Sequence, residues 1–79
     1  MNPDQSVAED VPRTYRAVLD AVGRLEQLDA WEEAARLRSQ AMSAYARRWD
    51  HACLRSLERI LARLEAARRA RERRPPRIA

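Results

Sequence analysis

The stretch Asp50–Arg73, DHACLRSLERILARLEAARRARER, decides how this chain folds. Cys53, Leu57, Ile60, Leu61, Leu64 and Ala67 recur three and four residues apart, with Leu54 beside them. That spacing is one face of an α-helix. Asp50 stands where a helix N-cap is wanted, since its carboxylate can accept an orphan N–H of the first turn. Pro75-Pro76 ends the helix, because proline has no N–H and disfavours helix in the residue before it.

Working back, Trp31, Ala34, Ala35, Ala41, Met42, Tyr45 and Trp49 fall within one sector of a second helix. Asp29, followed three residues later by Glu32, reads as its capping box. Arg38 falls in the middle of the apolar sector. It must therefore snorkel, stack on Trp31 or Tyr45, or pair with an acid. Further back, Tyr15, Val18, Leu19, Val22 and Leu25 mark a first helix that starts around Asp10-Val11-Pro12. Gly23 inside it predicts a close helix crossing, because it costs about 1 kcal/mol relative to Ala.

These patterns predict an all-α fold, either an antiparallel helical hairpin or a small three-helix bundle. The helices are expected at about 12–27, 30–48 and 50–73, within a single domain over 11–74. Residues 1–10 read as a disordered acidic segment, and 75–79 as a basic tail. No Gly or Pro separates the second and third helices, and the stripe from Met42 to Leu64 runs through without a phase jump. One continuous helix over 30–73 is therefore the alternative to a break near 49–50.

Residues Val18–Met42 resemble a single tetratricopeptide-type helical hairpin at Ala21, Leu25, Trp31, Ala34 and Ala41. Val22, Asp29 and Arg38 stand where that family has a small residue, a turn glycine and an aromatic, and no second repeat follows. The resemblance implies a peptide or protein partner.

At 79 residues the chain allows one domain. A chain this short buries only about 60% of the surface its unfolded form exposes. One cysteine excludes an internal disulfide, so association is the expected source of extra stability. The lone Cys53, an acidic start unlike a secretory signal and the lack of a membrane-length apolar run lead us to expect a cytoplasmic protein. Phe is absent and Gly occurs once, which disfavours hairpin-rich sheet.

Charge is unevenly distributed. Residues 1–12 carry −3, residues 13–46 are neutral and residues 47–79 carry +7, giving the net +4. All sixteen bases are Arg. A GC-rich genome accounts for the absence of Lys but not for the gradient. Arg55, Arg59 and Arg63 form a ridge at i, i+4, i+8. Arg68, Arg69, Arg71, Arg73 and Arg74, with Arg77 in the tail, exceed what helix-end capping needs. Together they are the candidate anion-binding residues.

Chemistry-bearing groups are sparse. Asp50, His51 and Cys53 are too few for a structural zinc site, and residues two apart diverge on a helix. Glu32-Glu33 complement a helix dipole. A phosphate-binding glycine loop cannot be built from Gly23 alone. No catalytic residue, metal, cofactor or small-molecule substrate is expected. The candidate partner-binding face is Trp31, Arg38, Tyr45 and Trp49, because aromatic and Arg residues are favoured anchors. The candidate self-association seam is Leu57, Ile60, Leu61 and Leu64. The functional expectation is a non-enzymatic protein-interaction or regulatory module, as a homodimer or docked on a larger protein. The alternative is a nucleic-acid-associated protein that grips the phosphate backbone without reading sequence.

Overall fold

A computed structural model describes residues 3–73 and shows an all-α three-helix bundle. Helix α1 spans Pro3–Gln27, α2 Trp31–Tyr45 and α3 His51–Arg73, and each packs on the other two. Residues 1–2 of the expected N-terminal segment, Arg74 and the expected 75–79 tail lie outside the described residues.

Each helix contributes a buried stripe, with spacing four, three, four, three on α2 and α3. On α3 it is Cys53, Leu57, Ile60, Leu64 and the half-buried Ala67. On α2, with its preceding residue, it is Ala30, Ala34, Leu37, Ala41 and Ala44. On α1 it is Val7, Val11, Val18, Ala21, Val22 and Leu25. A seam with this period faces one direction over several turns, which is the packing of coiled-coil-like bundles. No polar or charged residue is buried among the described side chains.

The helix order is up, down, up. Tyr15 of α1 stacks on Tyr45 of α2 with ring centroids 4.0 Å apart, so α2 ends opposite the middle of α1. Val7 near the start of α1 shares a crevice with Arg48, Trp49, Asp50 and His51. At the other end Arg71 of α3 shares a crevice with Asp29–Glu33. α1 and α3 are therefore parallel, and the shorter α2 runs against both.

Three expectations are corrected. α1 begins at Pro3 rather than near residue 12, so the described part of the 1–10 segment is helical and Pro12 lies inside the helix. An interior proline gives up a backbone hydrogen bond. Val7 and Val11, both buried on the α1 seam, offset that loss. Asp29 does not cap α2. It has φ 63°, in the left-handed region, and closes α1 instead. The Ala30 N–H donates to the Leu25 carbonyl at 3.2 Å and the Asp29 N–H to the Glu26 carbonyl at 2.9 Å. This is a Schellman motif, with its usual apolar contact supplied by buried Leu25 and Ala30. Ala30 is the α2 N-cap and makes no side-chain cap bond. Third, Gly23 marks no close crossing, because a Cβ built there meets nothing within 4 Å.

The break between α2 and α3 is real, which removes the continuous-helix alternative. Asp50 caps α3 as its position predicted, accepting the Cys53 N–H at Oδ1, 2.9 Å away. The Cys53 thiol donates back to the Ala44 carbonyl at 3.3 Å and ties the two helices across the turn. The driving force is burial. A continuous helix would leave Cys53 and Leu57 far from Val7 and Val11, whereas the reversal buries all four.

Candidate interaction surface

The Tyr15–Tyr45 stack joins two stripes of side chains that lie beside the core stripes. From Tyr45 the α2 stripe steps back through Met42, Arg38, Ala35 and Trp31, one turn at a time. From Tyr15 the α1 stripe steps forward through Leu19, Gly23 and Glu26. Beyond the end of α2, Trp49 packs against Tyr45 with its ring tilted by 46°. Its ring is 4.9 Å from that of Tyr45, and its indole N–H donates to the Tyr45 carbonyl at 2.9 Å.

This flank holds every exposed large hydrophobic among the described residues. Leu19 is 38% exposed, Trp31 59%, Met42 49% and Trp49 42%. Scattered singly, such residues need no explanation. Here all four fall, by helical position, on the α1–α2 side of the bundle, so they are grouped and not scattered. Arg38 is exposed in the middle of the stripe and has no salt-bridge partner among the described residues.

Of the expected partner-binding residues Trp31, Arg38, Tyr45 and Trp49, Tyr45 is half-buried and the other three are exposed. Trp31 stands at one end of α2 and the Tyr45–Trp49 pair at the other, about 20 Å apart at 1.5 Å per residue. Leu19 and Met42, which the sequence did not single out as site residues, are also exposed on this flank. Their signal was their position one turn from a tyrosine on each helix.

The expected self-association seam needs correction. Leu57, Ile60 and Leu64 are buried in the core of one chain, and Leu61 packs against them half-buried. A seam already covered by α1 and α2 offers nothing to a second copy.

The basic residues divide by their surroundings. Arg68 forms an ion pair with Glu72 at 3.2 Å. Arg63 borders the α2–α3 groove with Glu33 and Arg36, and Arg71 shares a crevice with Asp29, Glu32 and Glu33. Folding therefore sets part of the basic end of the chain beside the acid-rich α1–α2 turn. Arg55, Arg59, Arg69 and Arg73 remain exposed and make no ion pair among the described residues, though the Arg59 Nε–H donates to the Arg55 carbonyl at 3.5 Å. Their spacing, with Ala62 and Ala66 between, makes one stripe on the outer side of α3. Glu58, Glu65 and Glu72 run beside it.

His51 is exposed and Cys53 is buried, so the two do not converge. Burial first, and then the nearby Asp50 carboxylate, push the Cys53 thiol above its ordinary pKa. That favours the protonated thiol over the nucleophilic thiolate. Among the described residues no three metal-ligating side chains form a group, and no helix is long and apolar enough to cross a membrane. Comparison with known proteins gives no match, whether to a family model, a curated protein or a solved structure. The tetratricopeptide resemblance therefore reaches no further than the antiparallel pairing of α1 and α2.

Proposed function

We propose that this protein is a non-enzymatic interaction module that binds another protein chain through the α1–α2 face. The observation that carries this reading is the concentration of Leu19, Trp31, Met42 and Trp49 on one flank of a bundle whose core is complete without them. Large apolar side chains left outside a finished core gain free energy only when a partner covers them. Trp31 and Met42 would supply the anchors, and Arg38 between them would give orientation. The free, buried Cys53 is in keeping with a reducing, cytoplasmic setting.

The test is affinity capture of the full chain from its host, with nuclease treatment in parallel, comparing wild type with the Trp31→Ser/Met42→Ser variant. The expected result is a nuclease-resistant protein partner, lost with the variant while its helical circular dichroism is unchanged. Retention of the same partner by the variant would sink the proposal.

The exposed Arg55, Arg59, Arg69 and Arg73 stripe favours a second reading, phosphate-backbone binding. It predicts nucleic-acid affinity that falls steeply with salt and is lost when these four are replaced by Gln. The parallel line of Glu58, Glu65 and Glu72 repels phosphate, which puts this reading second.

A further inference from the structure

Helices α2 and α3 enclose a second groove, on the side of α2 away from the Tyr15–Tyr45 stack. At mid-bundle it forms a cleft of about 430 Å³. The buried Leu37 and the half-buried Ala67 make its floor, and the exposed Arg36 and Arg63 border it from the two helices, with Gln40 beside them. Ala44, one turn of α2 beyond Gln40, lines the next crevice, at the α2–α3 turn. The exposed Arg47 and Arg48 border that one.

This stretch of groove carries a surplus of positive charge that the chain itself does not neutralise. Its acids are Glu33 and Asp50, and Asp50 is engaged as the α3 cap. None of Arg36, Arg47, Arg48 and Arg63 makes an ion pair among the described residues. Like charges along both sides of one groove repel, and an anionic occupant turns that repulsion into attraction.

We propose that the α2–α3 groove takes an acidic helix of a partner protein. A helix laid along two neighbouring helices closes an up-down-up bundle into a four-helix arrangement. Its apolar side covers Leu37 and Ala67. Its carboxylates reach the rims, where a guanidinium fork can hold a carboxylate through two parallel hydrogen bonds. From Arg36 to the end of α2 the basic stretch is about 14 Å long, or about three turns of the partner helix. Beyond Arg36 the groove changes sign, because Glu33 shares crevices there with Arg71, Asp29 and Glu32. That change fixes where the acidic segment sits. A phosphate backbone fits this groove less well, since it has no apolar side to set against Leu37 and Ala67. The groove lies on the opposite flank of α2 from Trp31 and Met42, so the proposal does not rest on the α1–α2 reading.

Site-specific photo-crosslinking of the full chain in its host tests the proposal. A diazirine-bearing amino acid replaces the exposed Gln40, and on irradiation its carbene inserts into whatever occupies the groove. The same amino acid in place of the exposed Ala62, on the outer side of α3, is the control. Position 40 is expected to give a protein adduct that position 62 does not, and mass spectrometry should place the crosslink in a partner segment of net negative charge. Arg36→Gln/Arg63→Gln should lower the yield about ten-fold through loss of two charge-assisted contacts. Arg55→Gln/Arg69→Gln removes the same charge elsewhere and should change it less than about two-fold. No adduct, equal losses from the two pairs, a neutral or basic crosslinked segment, or an adduct removed by nuclease overturns the proposal. The Trp31→Ser/Met42→Ser variant should keep the adduct, which separates this groove from the α1–α2 face.

Discussion

Helix α2 carries two stripes of the same period, one residue apart. The buried one is Ala30, Ala34, Leu37, Ala41 and Ala44, and the outward one is Trp31, Ala35, Arg38, Met42 and Tyr45. The small residues face the core and most of the large ones face away. A short helix wedged beside two longer ones can approach them closely only through small side chains. The large apolar side chains on its other flank then have no intrachain role beyond the Tyr15–Tyr45 stack. Side-chain size is thus a poor guide to burial on an alanine-rich helix, and large residues outside the core are the ones that point to a partner.

The largest expected effect breaks the comparison directly. Leu37 is the one long aliphatic in the buried α2 stripe, and Leu37→Ala should cost about 2–5 kcal/mol by urea denaturation, because it opens a cavity. Met42→Ala, on the outward stripe, should change monomer stability by less than about 0.5 kcal/mol. Equal costs would show that the two stripes have been assigned to the wrong sides.

Overpacking gives the complementary contrast. Ala41 is fully buried, and Ala41→Leu should destabilise by about 1–3 kcal/mol through forced displacement of α1 or α3. Ala35→Leu, on the exposed flank, should be close to neutral, or slightly favourable through helix propensity. The same pair of variants measured as a function of concentration separates core strain from any effect on association.

This contrast also explains what could be read from the sequence. The α3 seam was legible because Cys53, Leu57, Ile60 and Leu64 are large or clearly apolar and repeat without interruption. The α2 core was not. Its alanines carry little hydrophobic signal, and the tryptophans and Met42 drew the apparent face round to the outward flank. Leu37, the strongest true marker, fell outside that apparent face. Arg38 looked buried for the same reason and is in fact exposed. The start of α1 was hidden because only Val7 and Val11 are apolar there and Pro12 imitates a helix start. The Asp50 cap was read correctly, since a cap depends on one local hydrogen bond. The Asp29 cap was misread, because a left-handed residue closing one helix and a cap opening the next call for the same side chain. For the candidate face, residue types pointed to Trp31, Arg38, Tyr45 and Trp49, whereas the place of α1 beside it was set by tertiary pairing. No spacing within one helix reveals that Tyr15 stacks on Tyr45.

Gly23 sharpens the comparison on the α1 side. Nothing in the single chain occupies the space around it, so Gly23→Ala should stabilise the dilute monomer by about 1 kcal/mol, the propensity difference in a helix interior. Thermal denaturation at low concentration reads this directly. A loss of stability instead would mean that the helix flexes at this point and that Gly23 answers to backbone strain rather than to an approaching surface.

Trp31→Ala, like Met42→Ala, is expected to change the stability of the monomer little. The side chain is 59% exposed at the first turn of α2, and its removal should shift the unfolding midpoint of the monomer by less than about 0.5 kcal/mol. If the outward stripe is a docking surface, the same substitution should cost far more in association, because a tryptophan anchor on a partner commonly contributes about 2 kcal/mol or more. The variant also leaves Trp49 as the single tryptophan, held by its bond to the Tyr45 carbonyl, so its emission reports on the far end of the face alone. Emission from Trp49 that still shifts with concentration would show the two ends of the face binding independently. Emission that no longer shifts would show that the far end does not bind without Trp31.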